Sequence, residues 1–347
     1  MTNNKAWSNV IRGVAIGDSW GDPVEFRKIA DITRLDPRGP ELPAALRITD
    51  DTQLTLFLAD ALDQSCGASI QETQEAIQKA FLVYYDDPDT GSRAPGVTVM
   101  GSLGRLASGK PWYEATNPTS DGSGTVMRTS PVAFVAEDRW VGVAAFAAAV
   151  THGASNAIAA AILNVAILRD ILDGNIEIGG VLKHAYDLAL HAEFHGLLEV
   201  GEWLDGYEVD LTEGFTELAR LLDIAVEALP RLQADPWKLE HDPSLLIGGG
   251  GWRSHECLVI ALLAADMFPG DPWEALRRAA VTDGDSDTIG AVAGALLGAL
   301  YPECFLDFDL TRFEPRYQLW ISLECDDYEM APERVSWLKR LLTGRGH

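Results

Sequence analysis

Two segments at opposite ends of the chain carry glycines at four-residue spacing within apolar, helix-like runs. The first contains Gly13, Gly17 and Gly21, and the second contains Gly290, Gly294 and Gly298, each of which is followed by an alanine. Glycine costs about 1 kcal/mol relative to alanine inside a helix, so six of them require a packing reason. This spacing predicts two buried helices whose backbones lie in direct contact.

The direction of this packing determines which loops meet. If the two helices are antiparallel, the end of the first, with Asp18 and Glu25, lies beside the start of the second, where the sequence reads DGDSD at 283–287. We therefore expect acidic residues from both ends of the chain to share one pocket. The same spacing joins helices in membranes, but these segments carry too many polar neighbours for that role.

Apolar residues recur with helical periodicity along most of the chain, whereas alternating, strand-like runs are scarce. Proline- and glycine-rich stretches separate the periodic segments, and neither a solenoid repeat nor a disordered type of linker is evident. The sequence therefore predicts one all-α domain that spans residues 1–347. We expect helices over residues 7–20, 52–65, 70–85, 139–150, 154–173, 179–203, 213–228, 254–267, 272–281, 288–301 and 332–342.

The charge balance restricts the partners that the surface can bind. Acidic residues number 52 against 27 basic ones, which gives a formal net charge of −25. Nucleic acids and anionic membranes need a basic face, so neither is an expected partner through general charge. A strongly acidic chain is compatible with a site that concentrates cations.

The cysteines and apolar runs indicate the compartment. Cys66, Cys257, Cys304 and Cys325 are widely spaced and form no CxxC pair, so neither a disulfide framework nor a zinc knuckle is expected. The N-terminus lacks the apolar core of a signal peptide, and the apolar run 289–301 is too short to span a bilayer. We expect a cytoplasmic monomer that has no membrane contact.

Three acidic clusters stand at predicted helix ends: GDSWGDPVE at 17–25, TDDT at 49–52 and DGDSDT at 283–288. Carboxylate and hydroxyl oxygens suit hard cations such as Mg²⁺, Mn²⁺ or Ca²⁺. Two such ions about 3.5–4 Å apart need several terminal and bridging oxygens, roughly the number that these clusters supply. The clusters therefore predict a cation site, provided that the fold brings them together.

A simpler reading of the TDDT cluster is helix capping. Thr49 or Asp50 is suited to the N-cap, and acidic residues in a first turn favour the helix dipole. Capping explains one of the carboxylates Asp50 and Asp51 well and the second only partly. A calcium loop of twelve residues with a terminal Glu is absent, and Leu54 stands where a DDxxD motif needs an acid.

These clusters, in their order along the chain, resemble the ADP-ribosylglycohydrolase family, from about residue 10 to about residue 303. Five elements match together and carry the resemblance, whereas any one of them alone is a poor signal. They are GVAIGDSWGDPVEF, ITDDTQLTLFLADAL, GSGTVMRTSPVAF at 122–134, THGAS at 151–155 and GDSDTIGAVAGALLGALY.

The resemblance implies an orthogonal all-α fold with a binuclear centre of two Mg²⁺ or Mn²⁺ ions. It implies catalytic carboxylates at Glu25 and Asp51, with Glu25 as the general acid and base beside the metals, and His152 as a residue that lines the ADP-ribose site. The implied metal ligands are Thr49, Asp50, Asp51, Asp285, Asp287 and Thr288. The segment implied to wrap the diphosphate and the distal ribose consists of Gly122, Ser123, Gly124, Thr125, Val126 and Met127.

Four of the supporting features have alternative readings. The Gly-Ser turn at 122–124 can cradle phosphate through backbone N–H groups, but it is also an ordinary loop. Arg128 suits a phosphate or a structural carboxylate, and His152 suits the ligand site or the cap of helix 154–173. GGGGWRSHE at 248–256 reads as a binding loop in which Trp252 stacks on adenine or the acceptor, or as a hinge with Trp252 in the core.

The resemblance implies a metal-dependent hydrolase that releases ADP-ribose from a conjugate, with arginine-linked ADP-ribosylated protein as the expected substrate. The chain departs from the family where arginine-specific members carry an acid, because APGVT at 94–98 has Pro95 there, and Ser123 replaces a frequent asparagine. These departures leave open cleavage of serine-linked, small-molecule or nucleobase conjugates. A non-catalytic protein that binds ADP-ribose or an ADP-ribosyltransferase is the alternative, although no predicted ligand is lost.

Overall fold

The computed structural model describes residues 2–136, 139–191 and 200–322. It is 68% helical and has no strand or sheet in these ranges, which confirms the predicted all-α class. The sixteen α-helices of the described residues are α1 Thr2–Gly21, α2 Ile29–Ile32, α3 Asp50–Gln64, α4 Ile70–Asp86, α5 Val97–Ala107, α6 Trp112–Ala115, α7 Trp140–Ala149, α8 Ser155–Leu172, α9 Val181–His191, α10 Val200–Trp203, α11 Leu211–Ala234, α12 Pro243–Ile247, α13 Ser254–Met267, α14 Pro272–Ala280, α15 Ser286–Leu300 and α16 Pro315–Ser322.

The most extensive contact between two helices joins α1 and α15, the two glycine-bearing helices. A Cβ atom built on Gly13 would lie 2.1 Å from the carbonyl oxygen of Gly294, and one on Gly17 would lie 1.9 Å from that of Gly290. A Cβ on Gly21 would lie 2.3 Å from the Ser286 oxygen. Because the partners descend in number as the glycines ascend, the helices are antiparallel, and the predicted backbone contact is confirmed.

Most of the predicted helices occur close to their expected bounds, but five described helices, α2, α5, α6, α12 and α16, were not expected. Helix α5 was not expected, because Gly101 and Gly104 lie within it and weaken its helical pattern. Helix α11 continues past the expected end at residue 228, with Pro230 inside it. Of the expected helix 179–203, α9 and α10 are present, and residues 192–199 lie outside the described residues, as does the expected helix 332–342.

Helices α7, α13 and α15 lie in the core with nearly every side chain buried, and α8 lies there with most of its side chains buried. One described helix, Ser155–Leu172, has the length and apolar composition of a membrane span, and 72% of it is buried inside the protein. It is longer than the apolar run at 289–301 that the sequence singled out. Buried packing on several sides accounts for its composition, because a helix inside a large core needs no polar face.

The antiparallel pair sets the position of the candidate site. The C-terminal end of α1 and the N-terminal end of α15 meet, since Gly21 lies against the backbone of Ser286 and Asp287. The Ser286 hydroxyl donates a hydrogen bond to the Gly21 carbonyl at 3.0 Å. Helix α3 also packs on both α1 and α15. Three helix ends with acidic residues therefore converge.

Substitution at the contact of α1 and α15 should destabilise the protein strongly. Gly17→Ala places a methyl group against the backbone of Gly290, which has no side chain to move aside. Overpacking of a core costs about 1–3 kcal/mol, and we expect a loss at or above the upper end of that range in the free energy of unfolding from urea denaturation.

Gly101→Ala is the matched control, because Gly101 is exposed on α5 and a Cβ atom placed there would lie 3.6 Å from its nearest neighbour, the flexible Arg105 side chain. Alanine has the higher helix propensity there, so stability should be unchanged or rise by up to about 1 kcal/mol. Equal effects of the two substitutions would contradict the packing account.

Candidate metal and substrate site

The N-terminus of α3 is capped without using either Asp50 or Asp51. Thr49 is the N-cap residue, and its side chain accepts a hydrogen bond from the Asp51 N–H. The buried Asp18 carboxylate accepts bonds from the N–H groups of Thr49 at 3.0 Å and Thr52 at 3.2 Å, and from the Thr52 hydroxyl. The N-cap role considered for Asp50 is therefore wrong, since Asp50 is the first helical residue.

Asp50 and Asp51 are buried and only partly satisfied by the protein. Asp51 Oδ2 accepts a hydrogen bond from the Thr49 hydroxyl at 3.0 Å, whereas Asp51 Oδ1 is buried without a partner among the described residues. Asp50 accepts a bond of 3.3 Å from the Gly96 N–H. A buried carboxylate oxygen without a donor is costly, so it requires a ligand or a proton.

The second acidic group begins α15. Asp285 Oδ2 accepts a hydrogen bond from the Ser123 hydroxyl at 2.7 Å, and Asp287 Oδ1 accepts one from the Thr288 N–H at 2.9 Å. Both carboxylates are nearly inaccessible to solvent. Asp283, in the same stretch, is used differently, because it accepts bonds from the Ile29 N–H and Lys28 Nζ.

Glu25 joins the second acidic group. It follows the short 3₁₀ turn Asp22–Val24, and its N–H donates to the Gly21 carbonyl at the end of α1. Carboxylate oxygens of Glu25, Asp285 and Asp287 all lie within 4.8 Å of one another. Glu25 is half-buried, unlike the two aspartates, so it lies at the boundary between the cluster and solvent.

The electrostatics show that the two groups form one cluster. Burial, followed by the negative charges of Asp285 and Asp50, raises the pKa of Glu25 to about 8. Burial also raises the pKa of Asp50 to about 8, against the lowering effect of its bond from Gly96. Burial and the charge of Asp50 hold the pKa of Asp51 well above its usual range, with a further contribution from Asp285.

The pKa values of the carboxyl groups at the start of α15 are raised as well. Burial and the charge of Asp51 raise the pKa of Asp287 well above its usual value. Burial raises the pKa of Asp285 to about 6, while hydrogen bonds from Ser123 and Thr288 lower it. Without counter-charge, such a cluster holds protons at neutral pH.

The six predicted ligand residues are all buried. In addition to burial, the charge of Asp285 raises the pKa of Asp50 and of Asp51, and the charge of Asp51 raises the pKa of Asp287, so the two acidic groups are neighbours. Their donor set consists only of carboxylate and hydroxyl oxygens, and it includes the orphaned Asp51 Oδ1. This chemistry fits a hard divalent cation. The predicted meeting of TDDT and DGDSDT is confirmed, and the assignment of each residue as a ligand stays a prediction.

The glycine loop, residues 122–127, is tied to the segment that carries Trp252. The Ser123 N–H donates to the Trp252 carbonyl at 3.0 Å, and the Ser254 N–H donates to the Asp121 carbonyl at 2.8 Å. Through the Ser123 hydroxyl the loop also contacts Asp285. The loop is thus an ordered part of the site.

The six predicted residues of the glycine loop differ in their surroundings. Gly122 and Gly124 face the His152 ring, since a Cβ on either would lie 3.1 Å from a ring atom. Thr125, Val126 and Met127 have buried side chains, and the Thr125 hydroxyl contacts that of Ser254 at 2.6 Å. Direct binding by these last three residues stays a prediction.

For His152 and for Arg128 the structure excludes one of the two alternatives, and a role at the ligand site stays a prediction. Helix α8 has Ala154 as its N-cap with no side-chain cap, so the capping role considered for His152 is wrong. Buried Arg128 donates to the carbonyls of Gly124 and Ala147 and to the Thr151 hydroxyl, and to no carboxylate among the described residues. Its predicted carboxylate partner is therefore not observed.

Trp252 lies at the rim of the site, with 39% of its surface exposed, so the alternative that placed it in the core is wrong. The preceding glycines, Gly248 to Gly251, all have positive φ angles between 70° and 87°, a region that side chains disfavour. Trp252 stacks on Phe26, with ring centroids 5.1 Å apart, and Phe26 is 72% exposed. Sequence reasoning missed Phe26, because nothing in its pattern distinguishes an exposed aromatic from a core one.

The segment in which the chain departs from arginine-specific proteins also borders the cluster. Gly96, one residue after Pro95, donates its N–H to Asp50, and the Thr98 hydroxyl contacts that of Ser120. Pro95 is therefore adjacent in sequence to a residue that contacts the acidic cluster.

The described residues form an all-helical fold with an oxygen-only acidic cluster beside a glycine loop. Comparison with protein families gives the particular identity. The sequence model of the ADP-ribosylglycohydrolase family matches residues 8–304, and the chain belongs to that family.

Two relatives and one solved structure show how far the likeness extends. The chain is 26% identical to "Uncharacterized protein YegU" of Escherichia coli over 306 residues, which cover 83% of this chain and 85% of the relative. It is 28% identical to an uncharacterized protein of Archaeoglobus fulgidus over 312 residues, which cover 84% and 86%. An "ADP-ribosylglycohydrolase-related protein complex" shares the fold, with a TM-score of 0.56 and 22% identity over 92% of this chain and 96% of that chain.

The metal-free protein should lose stability as the pH rises from about 4 to about 8. The unfolded chain releases its carboxyl protons near pH 4, whereas the folded cluster retains protons until the raised pKa values of Glu25 and Asp50, about 8, are passed. The folded state therefore binds more protons in this window, and stability falls with rising pH. Thermal unfolding in the presence of a chelator measures this effect.

Mn²⁺ or Mg²⁺ should raise the unfolding midpoint, and more so at pH 8 than at pH 5, because protons compete with the cation for the same oxygens. Asp285→Asn should remove most of this cation effect. Glu227→Gln, at an exposed position on α11, is the control and should retain it. The cation-site account fails if Mn²⁺ stabilises Asp285→Asn as much as the unchanged protein.

Proposed function

We propose that this protein hydrolyses the glycosidic bond between ADP-ribose and an acceptor, with the help of divalent cations held by the acidic cluster. Membership of the ADP-ribosylglycohydrolase family supports the reaction class. The observation that carries the proposal is the hydrogen bond from Ser123 to Asp285. It joins a loop suited to phosphate to a cluster suited to cations, which is the combination that a ribosyl diphosphate requires.

Thr49, Asp50, Asp51, Asp285, Asp287 and Thr288 would hold the cations, and the closeness of Glu25 to Asp285 and Asp287 makes it a seventh candidate. Two Mg²⁺ or Mn²⁺ ions would supply positive charge that orients the vicinal hydroxyls of a ribose and polarises the bond to be broken. Asp18 lies outside this set, since its oxygens are occupied by the start of α3.

Glu25 is suited to transfer the proton that the reaction needs. When the bond between the anomeric carbon and the acceptor breaks, the acceptor atom takes the bonding electrons and requires a proton. Glu25 is half-buried at the boundary between the cluster and solvent, where a carboxyl group can give a proton to the acceptor atom. The carboxylate that remains accepts a proton from the water whose oxygen bonds to the anomeric carbon. Nearby carboxylates, Asp51 among them, stabilise the positive charge of the oxocarbenium-like sugar.

The glycine loop and the rim aromatics are suited to the rest of the ligand. Backbone N–H groups of a glycine-containing loop such as residues 122–127 bind phosphate oxygens. The exposed pair Phe26 and Trp252 offers a flat apolar surface at the mouth of the site. Stacking on such a surface tolerates an adenine or a planar acceptor group.

Arginine-linked ADP-ribosylated protein is the first acceptor to test, because the acidic chain, with its net charge of −25, attracts a cationic partner. The absence of an acid at Pro95 removes one means of holding a guanidinium near Asp50. Serine-linked protein and small-molecule conjugates of ADP-ribose are therefore the alternative substrates to test beside it.

The function is tested by incubating the protein with Mg²⁺ or Mn²⁺ and a panel of arginine-, serine- and small-molecule-linked ADP-ribose. We expect release of ADP-ribose from at least one conjugate, measured by chromatography, and its loss with chelator or in Asp50→Ala. Glu227→Gln should retain full activity. Binding of ADP-ribose without release from any conjugate would contradict the hydrolase and support a non-catalytic binding protein.

Glu25→Gln separates the two roles open to Glu25. As the proton donor, Glu25 should be dispensable for cation binding, so the rise in unfolding midpoint with Mn²⁺ is retained while turnover falls by about 10²–10⁴-fold. Loss of the cation effect together with turnover would assign Glu25 to cation binding. Full turnover in Glu25→Gln would exclude it from catalysis.

Trp252→Ala should raise the KM for the conjugate that is cleaved while kcat changes little, because a rim residue binds ligand without touching the reacting atoms. Stacking contributes about 1–3 kcal/mol per base, so we expect a KM increase of about 5-fold or more. Leu245→Ala, at an exposed apolar position on α12, should leave KM unchanged. An unaltered KM in Trp252→Ala would remove the stacking role.

A further inference from the structure

Arg128 is buried yet has no acidic hydrogen-bond partner among the described residues. Its Nη1 donates to the Gly124 carbonyl at 2.6 Å, and its Nη2 donates to the Thr151 hydroxyl at 2.7 Å and to the Ala147 carbonyl. The guanidinium carbon lies 4.8 Å from the centre of the Phe81 ring. A buried cation held by carbonyls and a hydroxyl is costly, so its position next to the glycine loop requires a reason.

The hydroxyl of Thr151 connects Arg128 to His152. Thr151 Oγ1 lies 2.8 Å from His152 Nδ1. A guanidinium only donates hydrogen bonds, so Thr151 Oγ1 is the acceptor in its contact with Arg128. The one proton of the hydroxyl is then free for His152, which is its other hydrogen-bond partner among the described residues.

This order of donors determines the tautomer of His152. If the Thr151 hydroxyl donates to Nδ1, that nitrogen carries no proton, and the neutral ring carries its proton on Nε2. In the opposite arrangement Nδ1–H donates to Thr151, and the buried hydroxyl proton has no acceptor among the described residues. The cost of an unsatisfied buried group favours the first arrangement.

The Nε2 edge of the ring faces the glycine loop. A Cβ on Gly122 would lie 3.1 Å from Nε2, and one on Gly124 would lie 3.1 Å from the neighbouring carbon Cε1. His152 Nε2 has no hydrogen-bond partner among the described residues, although the ring is only 2% exposed. Because both glycines lack side chains, the ring can pack against the backbone of the loop, and Nε2 faces the loop in which the proposed ligand would lie.

We propose that Arg128 and Thr151 are positioning residues that hold His152 as a neutral Nε2–H donor aimed at an acceptor oxygen of a ligand in the glycine loop. The donor order depends only on the contacts described above. The identity of the ligand rests on the proposed function, in which that oxygen belongs to the phosphates or the ribose of ADP-ribose. Arg128 also fixes the loop itself, through its bond to the Gly124 carbonyl.

The electrostatics agree with a neutral ring. Burial, with the positive charge of Arg128 as a second cause, lowers the pKa of His152 to about 3. The ring therefore remains uncharged in the range in which proteins are usually studied.

The tautomer is measured directly by nuclear magnetic resonance on protein labelled with ¹⁵N in histidine. The His152 signals are assigned by comparison with His152→Gln. We expect long-range correlations of the Nε2–H tautomer in the unchanged protein. A His152 ring with its proton on Nδ1, or a ring with both nitrogens protonated at neutral pH, would overturn the proposal.

Variants of Thr151 test whether the tautomer of His152 depends on the Thr151 hydroxyl. Thr151→Val keeps the shape and removes the donor, so it should yield a mixture of tautomers, and the affinity for ADP-ribose measured by calorimetry should fall about tenfold. Thr151→Ser keeps the hydroxyl, so it should show the Nε2–H tautomer and the affinity of the unchanged protein. Thr73→Val removes another buried hydroxyl that accepts from an arginine, Arg139, but lies on α4 away from the loop, and it should leave the tautomer and the affinity unchanged.

The outcomes distinguish this proposal from the proposed function. A Thr151→Val protein with the tautomer of the unchanged protein would overturn the positioning role, whatever its stability. If the unchanged protein shows the Nε2–H tautomer and Thr151→Val loses it, the positioning role stands. Failure of the unchanged protein to bind ADP-ribose would then count against the proposed ligand alone.

Discussion

The direct contact between the backbones of α1 and α15 is the constraint on which the rest of the structure depends. Side chains at Gly13, Gly17 or Gly290 would collide with carbonyl groups of the opposite helix, so the approach is possible only for glycine. The contact is antiparallel, and it brings Glu25 beside Asp285 although 260 residues of sequence separate them. If the two helices were farther apart, the carboxylates of Glu25 and Asp285 would no longer lie next to each other. The glycines lower the intrinsic stability of the two helices, but they allow the close approach that brings the carboxylates together.

The cluster itself opposes folding, because like charges are buried next to one another. Hydrogen bonds to the protein satisfy Asp18 well, but they leave Asp51 Oδ1 without a donor among the described residues. Such an arrangement is unfavourable unless protons or cations compensate it, and strained electrostatics of this kind are concentrated at functional sites. The two aspartates of the TDDT sequence are not needed to cap the helix, because other residues do so. Asp18 and Thr49 cap α3, and Asp50 and Asp51 are thereby left for a ligand.

The sequence predicted what depends on local spacing. Glycines four residues apart identify a helix face that lacks side chains, and the acidic clusters next to those faces follow from the antiparallel pairing. Features that depend on the meeting of distant side chains could not be predicted. The bonds of Arg128 to carbonyls and the stacking of Phe26 on Trp252 belong to this group, as does the use of Asp18 by α3. Helix α5 was missed because its own glycines weaken the pattern.

The central claim is that the carboxylates gathered by the glycine contact bind divalent cations. The most direct measurement is an anomalous difference map from a crystal soaked in Mn²⁺. The account predicts density beside Glu25, Asp285 and Asp287, whose carboxylate oxygens lie within 4.8 Å of one another. Mn²⁺ density confined to other parts of the surface, with this cluster empty at neutral pH, would contradict it.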